Sequence, residues 1–179
     1  MPAAGVLQWE VARADLDLDV IAAAAVETAW EIRGRQQQVA PQWFLAKNGR
    51  VSVTETKWYD DEQKRAAVLL MAGRVRRSRP DAVVFVSDTW LRRLPVSPGA
   101  GPAGDSVRVP EDDLPPGEAF DAVEAIIAEI FTRGRARLMV RAYRQRDDGT
   151  LEILDEYTAD GMNVGTVSGP IMRALWGGR

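Results

Sequence analysis

Between residues 20 and 32, apolar side chains return every three or four positions: Ile21, Ala25, Val26, Ala29, Trp30 and Ile32. That is the helical period. Asp15, Asp17 and Asp19 stand ahead of it, where carboxylates cap a helix and suit its dipole. The pattern predicts a first helix through "VIAAAAVETAWEIRGRQQQ", ended by Pro41. The period then drops to two. "QWFLAKNGRVSVTETKW" reads as two strands about Asn48-Gly49, a pair suited to the positive φ angles of a type I′ turn. In that register Phe44 faces Val53 and Ala46 faces Val51. Glu55 and Lys57 follow on the same face, while Trp43 and Trp58 lie on the opposite one.

Asp60 with Gln63 three residues on is a capping box. It opens a second helix with an expected inner stripe of Ala67, Leu70, Met71 and Val75, stopped at Pro80 after a cluster of arginines. "DAVVFVSDTWL" is apolar almost without a break, as expected of a strand covered on both faces. From 95 to 117 the chain is rich in Pro and Gly and reads as a long loop. A helix over 117–133 is expected from Ala119, Phe120, Val123, Ile127 and Ile130, closed by Gly134. A second hairpin follows about Asp148-Gly149, then a short terminal helix with Ser168 as cap and Pro170 in its first turn. The order predicts an α+β fold for residues 1–179 as a single domain. Its sheet would have about five strands, from two hairpins and one buried strand, packed by three to four helices.

Composition narrows the chemistry. The 179 residues hold no Cys and no His, which excludes Cys/His zinc sites, thiol nucleophiles and imidazole acid–base catalysis. A metal, if bound, would be a hard, oxygen-liganded one. Arg supplies 20 of the 23 basic residues, a bias that with abundant Ala and Val fits a GC-rich genome. The net charge of −3 does not favour nucleic acid as a partner. Neither a signal peptide nor a membrane span is expected, and the lack of Cys fits a cytoplasmic protein.

Four constellations carry candidate chemistry. Glu55 and Lys57, two apart on a strand, project to one side, an arrangement that can hold Mg²⁺ or Mn²⁺ and polarise water. The segment 17–87 resembles the core of restriction-endonuclease-like nucleases. That resemblance implies Glu55 and Lys57 as catalytic residues, with Glu27 or Glu31 as the helix carboxylate. It departs from the family in having no Asp between Asp19 and Asp60. The arginines Arg133, Arg135, Arg137, Arg141, Arg144 and Arg146 form a basic stripe that either tracks phosphates or pairs with Glu152, Asp155 and Glu156. The second reading is favoured, with Arg141 opposite Glu156. Asp88 ends the buried strand, where such a residue caps the exit or pairs with an arginine; Arg92 and Arg93 are adjacent in sequence. Six tryptophans, at 9, 30, 43, 58, 90 and 176, are core fillers or interface anchors. If no helix covers the Trp43/Trp58 face, it is a binding surface; if one does, it is core.

From "APQWFLAKNGRVSVTETKWYDDEQK" through "DAVVFVSDTW", with its Asp88-Thr89-Trp90 triplet, and again in "DDGTLEIL", the chain resembles a group of uncharacterised bacterial and phage proteins. The resemblance implies a prokaryotic or phage origin and no mechanism. The expectation is a non-enzymatic accessory protein, without cofactor, that binds a protein partner or forms a homo-oligomer through residues such as Trp43, Trp58, Arg141 and Arg144. The alternatives are the Mg²⁺- or Mn²⁺-dependent nuclease and a self-assembling structural protein whose Trp face and terminal helix make the subunit contacts.

Overall fold

A computed structural model describes residues 17–35, 37–92, 122–160 and 168–176. Helix α1 spans Leu18–Gly34, followed by strands β1 (Gln42–Lys47) and β2 (Arg50–Glu55), helix α2 (Asp61–Ser78) and strand β3 (Ala82–Arg92). Strands β4 (Ala122–Thr132), β5 (Arg135–Gln145) and β6 (Leu151–Asp160) and helix α3 (Ser168–Trp176) complete the order. The fold is α+β as expected, but the sheet has six strands, all antiparallel, in the order β2-β1-β3-β4-β5-β6. The expected 95–117 loop lies outside the described residues.

The first hairpin forms in the expected register, Phe44 against Val53 and Ala46 against Val51. Asn48 (φ 50°) and Gly49 (φ 72°) supply the two left-handed residues of its turn. Asp17 caps α1 by accepting from the Asp19 N–H at 3.0 Å. The helix ends at Gly34 with Arg35 as its C-cap (φ −86°, ψ 13°), short of the glutamines and of Pro41. Asp60 caps α2 through the Gln63 N–H at 2.7 Å. The Gln63 side chain reaches back to the Tyr59 N–H at 3.1 Å rather than to that of Asp60.

Two expectations are corrected. The predicted helix over 117–133 is strand β4 from Ala122 onward, and Gly134 (φ 94°) belongs to its turn into β5. Ala125, Ile127 and Phe131 are buried on one face and Ile126, Ala128 and Ile130 on the other. A strand covered on both faces loses its alternation and imitates a buried helix in the sequence, although the β-branched Val123, Ile126, Ile127 and Ile130 favour the pleated form. The inner stripe of α2 is Val68, Met71, Ala72 and Val75, not Ala67, Leu70, Met71 and Val75. The 67/70/71 face would carry Arg74 inward one turn later, whereas the 68/71/72/75 face is apolar along its whole length. Leu69 and Leu70 are left outside.

The sheet is covered on both sides. Helix α1 lays Ala22, Ala25, Val26 and Ala29 on Val84, Val86, Ile126, Ala128 and Ile130, its alanines allowing a close approach. Helices α2 and α3 enclose Trp43, Leu45, Val83, Phe85 and Phe131 on the other face, together with Ile171, Met172 and Leu175.

The β5–β6 hairpin contains a compensated slip. Its loop runs through Asp147, Asp148 and Gly149 (φ 83°), with the Arg146 N–H donating to the Thr150 carbonyl at 2.8 Å. That is one residue longer than a two-residue turn at Asp148-Gly149, so Tyr143 faces Ile153. A β-bulge at Leu154 absorbs the difference, and Arg141 meets Glu156 as the sequence register requires.

Candidate functional site

The α1 face of the sheet carries the densest polar chemistry among the described residues. Arg33, in the last turn of α1, reaches across the ends of three strands. Its Nε donates to the Tyr143 hydroxyl at 2.9 Å and lies 3.3 Å from Asp88 Oδ2, and its Nη2 donates to Glu124 Oε1 at 3.1 Å. The Tyr143 hydroxyl in turn donates to Asp88 Oδ1 at 2.8 Å. Asp88 on β3, Glu124 on β4 and Tyr143 on β5 thus converge because the antiparallel register sets even-numbered β3 and β4 residues and odd-numbered β5 residues on one face. Burial holds the Asp88 carboxyl above its ordinary value despite the lowering contributions of Tyr143 and Arg33. Burial likewise raises the Tyr143 phenol, keeping it protonated at neutral pH.

The residue class expected for Asp88, pairing with an arginine, is what occurs. The partner is Arg33, from 55 positions earlier in the chain; the side chains of Arg92 and Arg93 lie outside the described residues. These donors and acceptors are directed at one another, so the cluster acts as a clasp between α1 and the sheet. Two further links continue it. Arg141 pairs with Glu27 of α1 at 2.5 Å and with Glu156 of β6, and lies over the Trp30 ring at 5.3 Å. Arg137 pairs with Asp19 of α1 and, at 3.0 Å, with Asp160 of β6. Hydrogen bonding to Arg141 lowers the Glu27 carboxyl. Near the α1 N-terminus the Arg137–Asp19 pair borders a cleft of about 290 Å³ lined also by Asp17, Leu18, Ile130, Thr132 and Arg135.

The other expected site residues separate. Trp43 is fully buried, its ring centroid 4.2 Å from that of Phe85 and its Nε1 donating to Thr56 Oγ1 at 2.9 Å. Trp58 packs partly buried against the same cluster. Helices α2 and α3 cover this face, so it is core, with Ile171, Met172 and Leu175 of α3 packed into it. Arg144 pairs with Glu152 at 2.5 Å, and Arg146 with the same carboxylate at 3.2 Å. The arginine stripe is therefore largely paired, with Glu152 and Glu156 as expected and also with Asp160 and with Asp19 and Glu27 of α1.

Glu55 ends β2 and accepts from Gln42 Nε2 at 3.1 Å; Lys57 is exposed beyond it. Glu27 is held at Arg141 on β5, four strands from β2, a lateral separation of about 19 Å at the usual strand spacing. Glu31 faces Arg35 on the helix surface. Neither supplies the helix carboxylate at Glu55, and no metal-holding group of acids occurs among the described residues.

Sequence reasoning did not single out strand β6, which ends the sheet. Most of it is exposed, including Ile153 (45%), Leu154 (39%) and Tyr157 (39%). Beyond the bulge, residues 155–160 pair among the described residues with β5 alone. The available signal was the run "LEILDEYTAD", an amphipathic strand with four acids and no base. Among the described residues, no helix is long and apolar enough to cross a membrane. No protein-family model, curated protein or solved structure matches the chain.

Proposed function

We propose that this protein is a non-enzymatic accessory factor that binds a protein partner by adding an extended segment of that partner to the outer edge of β6. What carries the reading is that edge: a ten-residue strand with exposed Ile153 and Leu154, which among the described residues pairs on one side only and there offers a template for a further strand. The acids select the partner. Glu156 and Asp160, on the α1 side of the strand, are held by Arg141 and by Arg135 and Arg137, whereas Asp155 is exposed on the other side, where a basic residue of the incoming strand would be favoured. An incoming strand with Lys or Arg beside Asp155 and apolar residues beside the exposed Ile153 and Leu154 would fit. The absence of Cys supports a reducing, cytoplasmic setting, the Arg-, Ala- and Val-rich composition supports a GC-rich genome, and the resemblance to bacterial and phage proteins supports a prokaryotic or phage source.

The test is capture of partners by the tagged chain, identified by mass spectrometry, beside a Leu154→Lys/Tyr157→Lys variant. Circular dichroism would establish that the variant folds. A stoichiometric protein held by the parent and lost from the variant supports strand addition. Equal recovery from both, or no protein partner, refutes it.

A further inference from the structure

We infer that the outer face of α2 is a self-complementary surface on which a second copy of this chain docks its own α2, antiparallel, about a two-fold axis. This goes beyond strand addition at β6 and uses a different surface, on the opposite side of the sheet from α1.

Three observations converge. The first is the apolar patch. With Val68, Met71, Ala72 and Val75 turned inward, Leu69 and Leu70 stand outside, 64% and 74% exposed, at the middle of the 18-residue helix. The outward stripe through them is Glu62, Ala66, Leu69, Leu70, Gly73 and Arg77, a three-and-four spacing that follows one face.

The second is charge. Asp61 and Glu62 lie in the first turn and Arg76 and Arg77 in the last. Antiparallel pairing centred between Leu69 and Leu70 sets Leu69 against Leu70 of the second copy, Ala66 against Gly73, and Glu62 against Arg77. Each contact occurs twice. The same pairing opposes the two helix dipoles favourably, whereas a parallel arrangement would place acid on acid and arginine on arginine.

The third is Gly73. Glycine weakens a helix interior, and the monomer does not require it. Among the described residues a Cβ there would meet only Arg77 Nη1, at 3.6 Å, an ordinary contact, and the residue does not have positive φ. Glycine opposite Ala66 gives that layer the small cross-section that lets two helices approach closely around the central leucines. An isologous contact of this kind closes at two copies. A single helix pair is a small interface, so the dimer is expected to dissociate on dilution.

Sedimentation velocity over a dilution series up to about 0.5 mM tests this. The parent should pass from monomer to dimer, and Leu70→Glu should remain monomeric. Glu62→Arg and Arg77→Glu, each placing like charges together twice, should each weaken the dimer by roughly tenfold. The Glu62→Arg/Arg77→Glu double variant should recover most of that loss, because the pair is restored with its sign reversed. All four positions face outward, and Leu69→Gln offers a milder probe of the same patch. A parent that stays monomeric throughout overturns the inference. So does a dimer unaffected by Leu70→Glu and Leu69→Gln, or single charge reversals that the double does not rescue. Loss of partner capture at β6 with the dimer intact would separate failure of one surface from failure of the other.

Discussion

Replacing Tyr143 with Phe removes one oxygen from the middle of the clasp and leaves the rest of the ring in place. The edge-on contact with Trp30, at 5.6 Å between centroids, needs only the ring. Two hydrogen bonds disappear, the one donated to Asp88 and the one accepted from Arg33. Both lost partners are charged, and removing a bond to a charged group costs about 1.5–3 kcal/mol. Two features hold the total down. Arg33 keeps Asp88 at 3.3 Å and Glu124 at 3.1 Å, and the three side chains are about one-fifth exposed, so water reaches them. A loss of about 1.5–2.5 kcal/mol at neutral pH follows.

The pH dependence carries a sign. The folded Asp88 carboxyl lies above its ordinary value because of burial, and the Tyr143 hydroxyl is among the groups that pull it down. A carboxyl raised on folding favours the native state below the unfolded value of about 3.9 and loses that contribution as pH climbs through the folded value. Without the hydroxyl the folded value rises further, so ionisation costs more in Tyr143→Phe than in the parent. The destabilisation should be largest at pH 7.5 and shrink stepwise toward pH 4. Urea unfolding followed by tryptophan fluorescence at several pH values measures it. The other carboxyls, common to both proteins, cancel in the difference. A loss below about 0.5 kcal/mol at pH 7.5, or one equal at every pH, would refute the clasp as described.

Arg79, just past α2, holds φ 48° and ψ 61°, with its N–H donating to the Val75 carbonyl at 2.8 Å. Arg79→Gly should relieve a left-handed side-chain clash and raise stability by about 0.5–1 kcal/mol after the added unfolded-state entropy, read as a higher urea midpoint. If β4 is the doubly covered centre of the sheet, amide exchange over residues 124–131 should be among the slowest in the protein. Rapid exchange there would argue against a central strand.

What the sequence conveyed divides along a physical line. The Asn48-Gly49 hairpin was legible because its turn chemistry and its alternation are both local, and the Asp60 cap because a cap lies within four residues. The β4 segment misled because local pattern cannot tell two-sided burial in a sheet from burial of a helix. On α2 the choice between Leu70 and Ala72 as the inward residue depended on which face met α3, more than ninety residues later in the chain. The clasp was half visible. Asp88 stood out as an acid at the end of an apolar strand, but Arg33 and Tyr143 are brought to it by the α1 crossing and by the β3-β4-β5 register, neither of which a linear pattern records. Trp43 had the residue type of a contact anchor, and only the placement of α2 and α3 turned it into core.

The long turn and the bulge at Leu154 form a matched pair of one-residue offsets. A hairpin tip with both, and one with neither, deliver the same alignment from Ala142 and Asp155 onward; only the facing of residues 143–154 differs between them. In the form present, Leu151 is brought to the α1 cluster, while Arg141 with Glu156 and Arg137 with Asp160 keep their phase in either. The tip is therefore buffered against changes of length. A residue lost from the turn can be answered by loss of the bulge, with no shift transmitted to the clasp or the distal half of β6. That makes the Arg146–Thr150 connection the place along this sheet where lineage drift, or an engineer inserting a short tag, meets the least resistance.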